Sequence, residues 1–217
     1  MQILSPASYR TMPWKNGLGI THEIAAQRSD EDLASGRFTW RLSVAEVTAS
    51  APFSSFPGCD RIIVLLSGDG MLLDSGVYGQ HRLDQPLVPY PFSGDWSTDC
   101  RLLGGPCRDF NVMVDRRRVQ ATVQVVKLSS QPQALAVADS PLLLFVADGD
   151  LHVDTDAGRS AYVPVQHTLF IHTDESIPAT TKLTLTAAGD SAAALLIALH
   201  PRDADPSTQA RAAADRG

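Results

Sequence analysis

The sequence predicts an all-β protein built from two antiparallel barrels, and three observations support this fold class. Residues 38–44 alternate between apolar and polar side chains, as a half-buried strand does. Residues 62–66 form a continuous aliphatic run that ends at Ser67-Gly68-Asp69-Gly70, which predicts a buried strand and a tight turn. Residues 66–74 resemble residues 146–154 at an offset of about eighty residues, a length that suits one small barrel.

Further strands are predicted from apolar runs that are bounded by turn residues. We expect residues 71–73 to return from the first turn as the second strand of a hairpin. The other predicted strands cover residues 110–114, 122–128, 142–147, 151–153, 168–172, 182–187 and 193–199. Long helical periodicity is scarce, which is typical of an all-β sandwich or barrel.

The chain divides into three parts by composition. Residues 1–118 hold the unusual polar motifs, and we predict that they form a first barrel with a ligand pocket. Residues 119–202 consist mainly of Ala, Leu, Val and Thr, which indicates an architectural second barrel. The boundary is expected near residues 116–120, and residues 203–217 form a polar tail that has little to bury.

The charge of the chain argues against nucleic acid as a partner. The formal net charge is -6, whereas nucleic-acid binding normally requires a basic face. The one basic run, Arg116-Arg117-Arg118, lies between two apolar strands and is expected to be a solvated turn. No stretch reaches the ~18 apolar residues of a membrane span, and the start of the chain lacks a signal peptide, so we expect a cytoplasmic protein without a membrane partner.

The cysteines and histidines give no metal-binding pattern. Cys59, Cys100 and Cys107 form an odd set without paired spacing and are expected to be free thiols in a reducing compartment. None of the histidines forms a His-x-His or i, i+4 pair. The histidines are His22, His81, His152, His167, His172 and His200. We therefore expect no metal and no cofactor.

Polar side chains cluster beside Trp14 in the N-terminal segment. The loop at residues 14–19 contains two glycines, whose backbone amides could cradle an anion. The candidate ligand-binding side chains of this segment are Lys15, Asn16, Thr21 and Glu23. The alternative is a plain strand connection with a core tryptophan. A phosphate loop is not expected, because no helix follows.

Two arginines on predicted strands are the strongest candidates for contact with an anion. Arg41 and Ser43 share one strand face, and a guanidinium that points into a barrel needs an anionic partner. That partner is either a protein carboxylate, for which Glu23, Glu46 and Asp60 are available, or a ligand carboxylate. Both alternatives stay open, and the same argument applies to Arg61.

Three further residues complete the candidate ligand-binding set. Asp60 precedes Arg61, Asn111 offers an amide that can orient a ligand, and Phe56 can wall the mouth of the pocket together with Phe53 and Pro57. The three apolar residues are equally explained by simple packing. No residue is assigned a catalytic role, because no pair of carboxylates is set apart at this level.

Several segments together resemble the HutD/Ves family. The motifs are Trp14-Lys15-Asn16-Gly17, residues 40–45 (WRLSVA), residues 53–58 (FSSFPG), Asp60-Arg61 and residues 105–113 (GPCRDFNVM). The resemblance covers residues 1–118 in order, with Leu18 standing where the signature usually has another glycine. It implies a bicupin fold of two RmlC-like jelly-roll barrels, an association with histidine utilisation or stress response, and no established enzyme activity.

The same resemblance bears on metal and ligand. Many cupins bind a metal through histidines and a glutamate about seven residues before the turn glycine, and Arg61 and Leu142 occupy that position before Gly68 and Gly149. An arginine repels a metal ion, so neither barrel is expected to hold one. Histidine breakdown proceeds through carboxylates such as urocanate and formylglutamate, which are the ligand class that the family suggests.

Three hypotheses of function follow. The first is a metal-free bicupin that binds a small acidic metabolite in a regulatory or buffering role. The second is a metal-independent hydrolase or isomerase with Glu23 or Asp109 as the base, beside Lys15 and Arg41. The third is a structural interaction protein that docks through its second barrel. A homodimer is left open.

Overall fold

The computed structural model describes residues 1–14, 16–137, 141–171 and 181–202. Lys15, His172 and the predicted tail at 203–217 lie outside the described residues. The strands in chain order are β1 (Gln2–Leu4), β2 (Arg10–Pro13), β3 (Gly19–Gln27), β4 (Trp40–Val47), β5 (Ala51–Pro52), β6 (Cys59–Ser67), β7 (Met71–Asp74), β8 (Gln80–Leu83), β9 (Pro89–Ser93), β10 (Asp99–Leu102), β11 (Cys107–Asp115), β12 (Val119–Ser129), β13 (Gln133–Val137), β14 (Leu142–Asp148), β15 (Leu151–Thr155), β16 (Ser160–Val163), β17 (Thr168–Ile171), β18 (Thr181–Ala187) and β19 (Ser191–Pro201). The described residues also contain one α-helix, α1 (Asp30–Ser35), and two short 3-10 helices at Pro6–Ser8 and Gly76–Tyr78.

The strands form four antiparallel sheets that pack in two pairs. In the first pair, a six-stranded sheet in the order β2-β3-β4-β11-β6-β9 faces a four-stranded sheet in the order β5-β10-β7-β8. In the second pair, a five-stranded sheet in the order β1-β17-β14-β19-β12 faces a four-stranded sheet in the order β13-β18-β15-β16. We call these pairs the first and the second sandwich. The all-β prediction is confirmed, and among the described residues the hydrogen-bonded ladders run within each sheet and do not close it into a barrel.

The two large sheets also pack against each other, back to back. Apolar side chains from β4 and β11 meet side chains from β14 and β19 in a core between the two sandwiches. The alternation predicted in residues 38–44 is therefore correct, because Trp40, Leu42 and Val44 point into this core while Arg41 and Ser43 point the other way. The six-stranded sheet is covered on both faces, and its polar residues face the interior of the first sandwich.

The internal repeat is real, but the predicted hairpin is wrong. β6 and β7 match β14 and β15 in position, yet β7 pairs with β8 and β10 and not with β6. The turn carries the chain from the six-stranded sheet to the facing sheet. Gly68 adopts a φ of 95°, and a Cβ there would lie 2.6 Å from the carbonyl oxygen of Pro106. Such a close corner requires glycine.

The basic run forms a turn with partly exposed side chains, as expected, and its arginines also pair with carboxylates. Arg118 donates to both oxygens of Asp32, at 2.9 and 2.8 Å, and Arg116 donates to Asp60 at 2.9 Å. Arg117 alone is largely exposed. Asp32 also forms a capping box with Ser29 that starts helix α1. The connection between the sandwiches is thus fixed to the first one by ion pairs.

The cysteines are unpaired thiols, as the sequence predicts. Cys59, Cys100 and Cys107 are free, and burial raises the pKa of the Cys100 and Cys107 thiols to about 12. Across the described ranges, no helix is long and apolar enough to cross a membrane.

Candidate functional site

A cavity of about 450 Å³ opens into the interior of the first sandwich. Its wall is formed by β3, β4, β6 and β11 of the six-stranded sheet. Its rim is formed by residues of β2, by Trp14 and Asn16, and by β5 with the segment that follows it. The lining residues are Met12, Pro13, Trp14, Asn16, Thr21, Arg41, Ser43, Ala45, Pro52, Phe53, Ser54, Phe56, Arg61, Asp109, Asn111 and Met113.

Strand register explains why the polar residues of the wall meet. Met113 of β11 lies opposite Arg41 of β4 on one side and opposite Arg61 of β6 on the other. Two residues along β11, Asn111 lies opposite Ser43, so it is diagonal to both arginines. The two guanidinium groups therefore flank one strand and share one face of the sheet.

Arg41 forms an ion pair with a protein carboxylate, and of the three candidates that the sequence offers the partner is Glu23. Its Nε lies 2.8 Å from Oε2 of Glu23, and the Glu23 side chain is 8% exposed. Arg28 donates to the same oxygen at 2.7 Å. Although burial raises the pKa of Glu23, the contacts with Arg28 and Arg41 outweigh burial and leave the pKa below its usual value. One carboxylate thus serves two guanidinium groups.

Arg61 is enclosed by aromatic rings. Its guanidinium carbon lies 5.4 Å from the ring centre of Phe53, 5.6 Å from that of Phe56 and 4.6 Å from that of Phe92. Nη2 donates to Oδ1 of Asn111 at 3.0 Å, whereas Nε has no hydrogen-bond partner among the residues that the structure describes. Burial lowers the pKa of Arg61 to about 10, so the group stays charged at neutral pH. The positive charge of Arg61 is therefore stabilised by cation–π contacts and by one amide, and by no direct ion pair with a described residue.

Asp109 is the buried carboxyl group of the cavity wall. Asn111 donates through Nδ2 to Oδ1 of Asp109, and within the described ranges Oδ2 has no hydrogen-bond partner. Burial raises the pKa of Asp109 to about 7, against the opposing effects of Arg61 and Asn111. The two carboxyl groups of this region are thus shifted in opposite directions, since the pKa of Glu23 lies below its usual value.

The N-terminal loop contributes side chains to the cavity lining, and its Gly17 and Leu18 amides bond within the loop. The indole nitrogen of Trp14 donates to the hydroxyl of Thr21 at 2.8 Å, and the ring lies over Gly19, where a Cβ would come within 2.9 Å of it. The amide of Leu18 donates to the Asn16 side chain, and the amide of Gly17 donates to the carbonyl of Trp14. These amides are used inside the loop, so the predicted anion cradle is wrong for them.

The structure brings most of the predicted ligand-binding residues together. Asn16, Thr21, Arg41, Ser43, Phe56, Arg61 and Asn111 line the cavity. Glu23 lies behind Arg41 as its ion-pair partner and is not part of the lining. Asp60 faces away and accepts from Arg116, because adjacent residues of a strand point to opposite faces. Lys15 lies outside the described residues.

Asp109 was weighed above as a base but was not placed in the ligand-binding set. The signal for it is present in the sequence, since Asp109, Asn111 and Met113 alternate with Phe110, Val112 and Val114. That alternation puts Asp109 on the same face as Asn111. Trp14 and Phe53 also line the cavity, and Pro57 does not.

The cavity is suited to an anion. Two guanidinium groups, of Arg41 and Arg61, line it, and the Glu23 carboxylate outside the lining is shared between Arg41 and Arg28. The lining carboxyl group, of Asp109, has a raised pKa. None of the cavity-lining residues is a histidine, and the described ranges contain no group of three or more His, Cys, Asp or Glu side chains that could hold a metal ion. The arrangement can bind a carboxylate by charge and by paired N–H donors.

Comparison with known proteins assigns the fold and the family. The chain has a cupin-like all-β fold: a cupin 2 conserved barrel domain protein from Leptotrichia buccalis superposes with a TM-score of 0.54 at 9% identity, over 83% of this chain and 88% of the other. The HutD family model matches residues 6–194, so the chain belongs to the HutD family.

Two relatives support the assignment to the HutD family. An uncharacterised 21.2 kDa protein in the hutC 3′ region of Pseudomonas putida is 42% identical over 162 residues, which are 73% of this chain and 80% of the relative. The structure of HutD from Pseudomonas fluorescens SBW25 superposes with a TM-score of 0.76 at 30% identity, over 93% of this chain and 99% of the other. The resemblance seen in the sequence motifs is confirmed for HutD, a family associated with histidine utilisation.

Proposed function

We propose that this protein binds a small carboxylate metabolite in the cavity of the first sandwich and acts as a regulatory or buffering protein. The observation that carries the proposal is the surplus of positive charge at Arg41 and Arg61, since Glu23 is shared with Arg28. Burying a charge without a partner costs several kcal/mol, so a ligand carboxylate is a favourable occupant of this wall.

An intermediate of histidine degradation, of the formylglutamate or urocanate class, is the ligand that we favour. The family association supports this class. The HutD structure from Pseudomonas fluorescens SBW25 carries the description "formate condition", and formate is the simplest carboxylate. A cavity of about 450 Å³ has room for a molecule of this size.

We also propose how the chain is divided into units and where in the cell the protein acts. The two sandwiches are taken as two cupin-type barrels, a bicupin, with residues 1–118 as the ligand-binding unit and residues 119–202 as the architectural unit. The internal repeat of β6–β7 and β14–β15 supports this division. The strand β1, which pairs with β17 of the second sandwich, ties the start of the chain to the far unit. A cytoplasmic location and the absence of a nucleic-acid or membrane partner are part of the same proposal.

A metal-independent hydrolase or isomerase is the second candidate, and one observation favours it. The pKa of Asp109 near 7 suits a group that takes up and releases a proton at neutral pH. Glu23 is a poor base, because its contacts with Arg28 and Arg41 hold its pKa below the usual value. The third hypothesis, a purely structural protein, is disfavoured by an interior that is open and not filled.

Calorimetric titration with N-formylglutamate and urocanate tests the proposal. Arg41→Ala should weaken binding by about 2–5 kcal/mol, while Arg28 keeps Glu23 paired and limits the loss of stability. Arg41→Lys should also bind poorly, because an ammonium group does not reproduce the planar, two-pronged contact. Arg101→Ala, which removes an exposed arginine outside the cavity lining, is the matched control.

The outcomes separate the candidates. Unchanged affinity in Arg41→Ala together with a large fall in melting temperature would mean that the arginine is only structural. Conversion of either compound on incubation, detected by product analysis and lost in Asp109→Asn, would establish the enzyme in place of the binder.

A further inference from the structure

A continuous chain of hydrogen bonds joins Arg61 to Asp109. Arg61 donates to Oδ1 of Asn111 at 3.0 Å, and Asn111 donates in turn to Oδ1 of Asp109. Asp109 is 1% exposed, and no described residue donates a hydrogen bond to its other oxygen, Oδ2. Asn111 therefore links the carboxyl group to Arg61, the guanidinium of the lining that has no ion-pair partner within the described residues.

Few titratable groups surround Asp109. Arg61 comes from β6, Cys107 from its own strand and Cys100 from β10, while Arg41 of β4 acts on Arg61. The two thiols have pKa values of about 12 and stay neutral at physiological pH. The arginines stay charged. Asp109 is thus the group of this cluster that changes charge near neutrality.

We propose that binding of a carboxylate ligand in the cavity is coupled to the uptake of one proton by Asp109. The ionised form of Asp109 competes with the ligand for the positive charge of Arg61, so the ligand binds the protein in which Asp109 is neutral. The proton comes from solvent and forms an O–H bond at Oδ2 of Asp109. This inference rests on the proposed carboxylate-binding function and adds to it the protonation state of the site.

The physical reason is that two anions beside one guanidinium repel each other. A bound carboxylate near Arg61 disfavours the ionised form of Asp109 further, and burial already raises its pKa to about 7. No described donor stabilises a negative charge at Oδ2. Protonation leaves Oδ1 free to keep the contact with Asn111, so the position of Arg61 is unchanged.

Calorimetry in pairs of buffers tests the inference. N-formylglutamate and succinate are the probes, because their carboxylates stay ionised between pH 6.5 and 8.5. In phosphate and in Tris, which differ in ionisation enthalpy, binding at pH 7.5 should take up roughly half to one proton per ligand. Affinity should fall by up to about tenfold from pH 7.5 to 8.5.

Asp109→Asn keeps the shape of the side chain and stays neutral at every pH. It should bind without proton uptake, with the same affinity at pH 6.5 and 8.5, and more tightly than the unmodified protein at pH 8.5. Asp99→Asn, which removes an exposed carboxylate of β10, should behave like the unmodified protein. Thermal melts of both variants establish that they are folded.

Each result has a distinct meaning. Binding of a probe without proton uptake and without pH dependence would overturn the inference and leave the proposed function standing. An Asp109→Asn protein that keeps the proton uptake would show that another group carries the proton. If neither probe binds at pH 6.5, the proposed function fails and this inference fails with it.

Discussion

Seven residues before the turn glycine, the first sandwich carries Arg61 and the second carries Leu142. Both residues lie on a strand of the larger sheet and point towards the smaller one. In the second sandwich, Leu142, Leu144 and Val146 pack against β15, β17 and β18 in a closed apolar core. In the first, the same face leads from Arg61 to a cavity of about 450 Å³ that Asn111 and Asp109 also line.

The difference shows how one strand pattern supports two tasks. A filled aliphatic interior contributes stability through the burial of apolar surface. A polar interior has to satisfy its charges, and here cation–π contacts, one amide and a shared carboxylate do so only in part. The core between the two large sheets holds the polar sandwich against the apolar one, which stabilises it from behind.

The largest expected effect on stability comes from placing an arginine in the apolar interior of the second sandwich, at the position that corresponds to Arg61. Leu142→Arg would bury a guanidinium among aliphatic side chains, and the described residues of that core include no carboxylate. The free energy of unfolding should fall by about 5 kcal/mol, which is enough to unfold much of the population. Chemical denaturation measures it, and Leu142→Met is the matched control, with an expected loss below about 1.5 kcal/mol. A folded Leu142→Arg protein of normal stability would contradict the contrast between the two interiors.

The second prediction concerns the pH dependence of stability, which should come from the first sandwich. The pKa of Asp109 is raised from 3.8 to about 7, so its contribution to stability is complete below about pH 4 and is lost as the pH rises through 7. The raised pKa corresponds to about 4 kcal/mol. Denaturation of the unmodified protein and of Asp109→Asn at pH 5, 6, 7 and 8 should give a difference that changes in this direction.

The comparison with Asp109→Asn is necessary because other groups titrate in the same protein. Burial lowers the pKa of His81, so its effect on stability has the opposite sign and appears as the pH falls below about 6.5. That effect is common to both proteins and cancels in the difference. Parallel curves for the two proteins between pH 5 and 8 would mean that Asp109 titrates normally.

The smallest effect is expected from the reciprocal change, Arg61→Met. Arg61 has no direct ion-pair partner among the described residues, and burying such a charge is costly, so its loss offsets the lost cation–π contacts. Stability should therefore change by less than about 2 kcal/mol in either direction. Asp109 would lose its cation, and its pKa should rise further. Denaturation at pH 6 and calorimetry with N-formylglutamate give the two readouts. Normal affinity in a folded Arg61→Met protein would remove this residue from the proposed site.

Local sequence determined most of the strands and part of the site. Alternation along residues 40–47 and 107–115 is enough to place Arg41 and Asn111 on faces opposite to Leu42 and Phe110, because the side-chain period of a strand is two. The family motifs lie on the same strands, so the assignment to HutD also follows from sequence. The same rule, applied to Asp60, shows that it points away from Arg61.

Tertiary structure determined which strands pair and which charged side chains meet. The Ser67–Gly70 turn has the local signs of a hairpin, yet it crosses between sheets, because the choice of partner for β7 depends on β8 and β10 and not on the turn. In the same way, Arg41 has a carboxylate partner in Glu23, whereas Arg61 has no ion-pair partner in the described part of the chain. Strand pairing and register bring these residues together over long separations in the chain, and no local pattern encodes which charges will meet.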